Sequence, residues 1–88
     1  MTTAELLIEC KKGLGMQVDS YAFDDLLTPK VLAVTSFMKR AGVSDLMMAD
    51  DLAVTVIIMG VNDLWNIKSG DIKFSPVFYG FLSQLAMG

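Results

Sequence analysis

No histidine occurs among the 88 residues, and there is one cysteine, Cys10. A zinc centre of the usual Cys/His kind is thereby excluded, as are nucleophilic triads that rely on an imidazole base. One cysteine cannot form a disulfide within the chain, and Cys10 reads as a small apolar residue in a helix. Basic charge is scarce as well: 7 Lys and Arg stand against 10 Asp and Glu, for a net charge of −3. They are never more than two together, at Lys11-Lys12 and Lys39-Arg40. Gripping a phosphate backbone takes several such charges on one face, so no measurable binding of duplex DNA is expected at physiological salt.

Other signals are also missing. Gly13-Leu14-Gly15 lacks the residues and the following helix of a phosphate-binding loop. The neighbouring carboxylates Asp24-Asp25 and Asp50-Asp51 would point about 100° apart on a helix, so neither pair shares a site by spacing. No catalytic residue, metal ligand or cofactor site is assigned, and the chain does not read as an enzyme. Leu52–Val61, the longest near-apolar run, is too short for a bilayer, which needs about 20 residues. Thr2–Leu14 bears Glu5, Glu9, Lys11 and Lys12, unlike a signal peptide. No membrane contact is expected, and the expected origin is soluble and intracellular.

What is present is apolar. Hydrophobic residues make up 53% of the chain before its glycines are counted, against about 45–50% with glycine included in an ordinary domain. Residues 1–88 form one domain by length, and a domain of this size buries only about 60–65% of its unfolded surface. Such an excess argues for association. It is densest in Asp51–Asn66, where Leu52, Ala53, Val54, Val56, Ile57, Ile58, Met59, Val61, Leu64 and Trp65 cover nearly every face of a helix. A helix apolar all round is buried on all sides. With little interior to hold it, part of that helix, or the surface beside it, is expected to meet another chain.

The spacing predicts an all-α fold, a small bundle of about four helices with a kinked second helix and a buried central one. The first runs over about Ala4–Leu14, with Thr3 as cap and Leu6, Leu7, Cys10 and Leu14 on one face; Gly13 and Gly15 end it. Lys11 and Lys12 read as complements to its C-terminal dipole. The second starts at an Asp19 or Ser20 cap and runs to about Ala41, with Phe23, Leu27, Val34, Phe37, Met38 and Ala41 inward. Pro29 predicts a kink, or a break, near Asp25–Pro29. Gly42 terminates it, and Ser44 can cap a short turn holding Leu46 and Met47. Asp50 caps the central helix, whose Gly60 reads as a point of close packing. Ile72–Phe74 fits a short strand or an extended linker. Ser75 caps a last helix with Pro76 in its first turn and Val77, Phe78, Phe81, Leu82 and Leu85 as its stripe.

One series of segments has a likeness. Asp24-Asp25-Leu26-Leu27 precedes Pro29-Lys30 and a helix ending Met38-Lys39-Arg40-Ala41-Gly42-Val43. Asp51-Leu52-Ala53-Val54, Met59-Gly60-Val61 and Asp63-Leu64-Trp65-Asn66 follow, then Gly70-Asp71-Ile72-Lys73-Phe74-Ser75-Pro76-Val77-Phe78. Over about residues 3–87 this resembles the small head–tail connectors, or head-completion adaptors, of tailed bacteriophages and prophages. The most specific parts are Asp63–Asn66 and Lys73–Phe78.

The resemblance implies a structural virion protein made as a small helical bundle. Such subunits form a homo-oligomeric ring, usually of twelve, beneath the portal protein. The ring extends the DNA channel and docks the next head-completion or tail protein. It implies a place at the head–tail interface of the virion, reached from the host cytoplasm during assembly, and no catalytic residue. An acidic chain suits a channel through which DNA passes without specific binding. Candidate subunit or portal contacts are Trp65, Ile67, Phe74 and Phe78. Trp65 otherwise closes the core, whereas Phe74 stands in a linker that rarely buries a phenylalanine unaided. Asp71 and Lys73 either line the channel or are simply solvated. The alternative is a small phage or prophage regulator or inhibitor that binds DNA or a protein partner. For DNA, the segment after the Ala41–Ser44 turn is acidic and apolar where a recognition helix needs Arg, Lys, Asn or Gln.

Overall fold

Thr2 opens the first helix. Its hydroxyl accepts from the Glu5 amide at 3.2 Å, and its own amide donates to the Glu5 carboxylate at 2.9 Å. These two bonds form a capping box. They hold the Glu5 carboxyl below its ordinary range, the Thr2 amide more than the hydroxyl. The computed structural model describes residues 2–65 and 74–87. In chain order these form α1 (Thr3–Gly13), α2 (Asp24–Arg40), α3 (Asp45–Met48), α4 (Asp51–Trp65) and α5 (Pro76–Met87). The fold is all-helical, with no strand among the described residues.

Short polar side chains set most of the starts. Ser44 accepts from the Met47 amide at 3.2 Å, Asp50 from the Leu52 amide at 2.9 Å, and Ser75 from the Phe78 amide at 3.3 Å. Gly42 (φ 103°) takes the left-handed conformation that ends α2.

The second helix differs from its expected form in three respects. It begins at Asp24, not near Ser20. The carbonyls of Val18 and Ser20 turn toward the Lys11 ammonium (3.5 and 2.8 Å) instead of joining a helix. Of the kink or break expected near Asp25–Pro29, the break does not occur, since the helix runs on past Pro29 in its second turn. The proline there leaves only the carbonyl of Asp25, in the first turn, without its i+4 donor. Finally, its buried stripe is Leu27, Val31, Val34 and Met38, so the inward face is rotated away from Phe23, Phe37 and Ala41, all of which reach solvent.

α4 is the centre, packed against each of the other four helices. Ala53, Val56, Ile57, Gly60 and Val61 are buried along it. Its exposed residues are Asp51, Thr55 and Asn62, all polar. Its apolar residues are thus buried or half-buried within the subunit. At 15 residues it is about 22 Å long, shorter than the 36 Å extent of the molecule, and its own neighbours enclose it.

Two glycines mark the closest approaches. A Cβ on Gly13 would lie 2.4 Å from the Ile58 side chain, where α1 crosses α4. A Cβ on Gly60 would lie 2.8 Å from the Phe78 ring and from a Val34 methyl, where α5 and α2 close in. Ile58 and Gly60 are two residues apart, about 200° around the helix. α1 and α5 therefore flank α4 on opposite sides.

Gly60→Ala should lower stability by about 1–3 kcal/mol through overpacking, outweighing the gain of about 1 kcal/mol in helix propensity. Gly80 on α5 has nothing within 4 Å of an added Cβ, so Gly80→Ala should stabilise by up to about 1 kcal/mol. Thermal melts of the two variants should shift in opposite directions. Equal shifts would refute the close packing at Gly60.

Candidate interaction surface

Lys11 stands in the last turn of α1, as its reading as a complement to the dipole requires, but it does more. It is 2% exposed. Its ammonium lies 2.5 Å from Asp24 Oδ1, donates to the Ser20 carbonyl at 2.8 Å, and sits 5.0 Å from the centre of the Tyr21 ring. A buried cation needs such partners, because leaving water is costly without them. The pair ties the end of α1 to the start of α2 and shapes residues 14–23 into a surface turn. The sequence carries a partial signal: Lys11 follows Leu7 by four residues and precedes Leu14 by three, within the apolar stripe. Nothing in the spacing points to Asp24. Neighbouring Cys10 is also buried, and burial, with the Glu9 charge adding to it, pushes its thiol up to about 11. That thiol is unreactive at neutral pH.

The four contact candidates divide. Phe78 is fully buried and Phe74 is 7% exposed. Their rings stack at 4.3 Å, and Phe37 lies 5.1 Å from Phe74 and 6.0 Å from Phe78. Phe74 is buried by its own chain, because Asp63 at the end of α4 accepts the Ser75 amide (2.9 Å) and draws this segment onto the core. Neither ring is offered at the surface of the folded subunit. Trp65 is half-buried, edge-on to Phe23 at 5.6 Å with the Lys30 ammonium 5.7 Å from its ring. It packs against the core at the end of α4. Ile67, Asp71 and Lys73 lie outside the described residues.

Uncovered apolar surface is found on both sides of α4. On the α1 side, Ile8 (39% exposed), Val18 and Tyr21 border an open groove of about 460 Å³ beside the Lys11–Asp24 pair. Phe23 and Leu26 extend this surface onto the start of α2. On the α5 side, Val77 and Tyr79 are about half exposed and Met87 is almost fully so. Val77, Gly80, Phe81 and Gln84 shape a shallow notch there.

Among the described residues no group of acids and cysteine is placed to hold a metal ion. No described helix is long and apolar enough to cross a membrane. α3, which stands where a helix-turn-helix would carry its reading helix, has four residues, DLMM, and no cation.

No protein-family model matches the chain, and no curated protein and no solved structure matches it.

Proposed function

We propose that the chain is a structural ring subunit, of the kind found between the portal and the tail of a tailed bacteriophage. The observation that carries this reading is the pair of separate uncovered apolar surfaces on opposite sides of α4, at the α1–α2 turn and on α5. A ring joins unlike patches head to tail, so each subunit must present two of them. One patch alone would suit a dimer. The absence of basic clusters in the sequence supports the passive part of the role, in which DNA passes without being held. The portal protein, the next connector or tail protein, and twelve copies of this chain are the partners that the resemblance supplies.

The test is electron microscopy and sedimentation of the purified chain, alone and mixed with portal rings of the same virus. The expected result is a closed ring, either free or stacked on the portal. A chain that stays monomeric at every concentration and does not co-migrate with the portal overturns the reading. A duplex shifted in a gel at physiological salt, with a steep salt dependence, would favour the DNA-binding regulator instead.

A further inference from the structure

We infer that the outer face of α5 receives the α1–α2 turn of a second copy of this chain; this rests on the ring reading and names the two faces that would meet. The two patches differ in charge as well as in position. From Pro76 to Met87 no residue is charged, and Val77, Gly80, Gln84 and Met87 are exposed along the outer face. Among the described residues, Arg40 is an exposed cation near the end of α2. It lies one turn beyond Phe37, whose ring lies 6.4 Å from the Tyr79 ring. The next glycine, Gly42, approaches Ala86 near the end of α5.

The turn side is acidic. Asp19 borders the groove of Ile8, Val18 and Tyr21, and both Asp19 and Asp25 are exposed. Nearby Lys11 is consumed by Asp24. An apolar face edged by Arg40 thus complements an apolar face edged by Asp19 and Asp25. Opposite charges across a contact fix its register and reject the same-face pairing. Two α5 faces brought together would set Arg40 near Arg40, and two turns would set acid near acid. The complement is therefore heterologous, and it leaves a free patch at each end of any growing chain of subunits.

The experiment uses the full chain with single cysteines at exposed polar positions, Gln17→Cys at the turn and Gln84→Cys on α5. Cys10 is buried and its thiol is raised, so it does not compete for a short bis-maleimide. Each variant alone, and the equimolar mixture, is cross-linked over a range of concentrations beside sedimentation of the unmodified chain. Dimer is expected in the mixture and little in either variant alone. Arg40→Asp in the Gln84→Cys chain should cut that yield about fivefold, and Asp19→Arg in the Gln17→Cys chain should restore it. Association by sedimentation without a mixed cross-link overturns this pairing of faces and leaves the ring reading standing. Cross-links within either variant alone also overturn it. No association, even on portal rings, overturns both.

Discussion

Phe74→Asp should unfold a large fraction of the chain instead of silencing a contact on its surface. The Phe74 ring is 7% exposed and stacks at 4.3 Å on Phe78, which is itself fully buried. Removing a buried aromatic side chain costs about 3–5 kcal/mol. A carboxylate at the same place adds the cost of burying a charge. A domain of this length has a total stability of about 4–13 kcal/mol, so the substitution consumes most or all of it. Phe74→Leu keeps an apolar side chain and should cost far less. Thermal and urea unfolding followed by helical circular dichroism measure both. If Phe74→Asp melts within a few degrees of the unmodified chain, Phe74 is not a core residue, and its role as an intersubunit contact returns.

That outcome turns on a feature the sequence shows only in part. The helix after Ser75-Pro76 is legible because a side-chain cap followed by proline in the first turn satisfies local geometry without any partner. Phe74, one residue earlier, looks unpartnered because its burial depends on the bond from the Ser75 amide to the Asp63 carboxylate, 12 residues back from Ser75. Local rules do not see that bond. The same division explains α2. Its end at Gly42 follows from one residue's backbone freedom, whereas its start at Asp24 is set by Lys11 across the turn. The helix Asp51–Trp65 was legible as central from its apolar girdle alone. That its own chain could enclose it was not, because enclosure depends on how α1 and α5 are placed on opposite sides, and periodicity carries no such information.

Of the surface argued to carry function, little could be read in advance. Tyr21, Phe23 and Leu26 fall in or beside a segment whose helical pattern would have turned some of them inward. Tyr21 and Phe23 are exposed in the turn that is pulled toward Lys11, and Leu26 is exposed on the first turn of α2. Val77 belongs by spacing to the apolar stripe of α5, yet it is 56% exposed. The buried positions of that helix are Phe78, Leu82 and Leu85, with Phe81 and Ala86 packed partly against the core. A helix with more apolar residues than its own core can cover leaves the surplus exposed, and on α5 that surplus is the surface proposed to meet a second copy.

Lys11→Ala should lower stability by about 3 kcal/mol, near the bottom of the range for breaking a buried ion pair. The lower end applies because the Asp24 side chain is 25% exposed, so water can partly solvate the carboxylate left behind. The Ser20 carbonyl also loses its donor, which adds to the cost. Lys12 is the internal comparison: it is 58% exposed and lies 3.4 Å from Glu9, so Lys12→Ala should fall within about 0.5 kcal/mol of the unmodified chain. Pairing Lys11→Met with Asp24→Asn separates packing from charge, since methionine retains most of the buried stem. The double variant should be more stable than the sum of the single losses predicts, by about 1–3 kcal/mol of coupling measured in urea. A coupling near zero would mean that the ammonium is held by the Val18 and Ser20 carbonyls without Asp24. In that case Lys11 would still shape the turn, but Asp24 would be free to act with Asp19 and Asp25 as part of the acidic edge of the proposed contact. Cross-linking yield through Gln17→Cys should then fall in Asp24→Asn, whereas with the pair intact it should follow only the loss of folded chain.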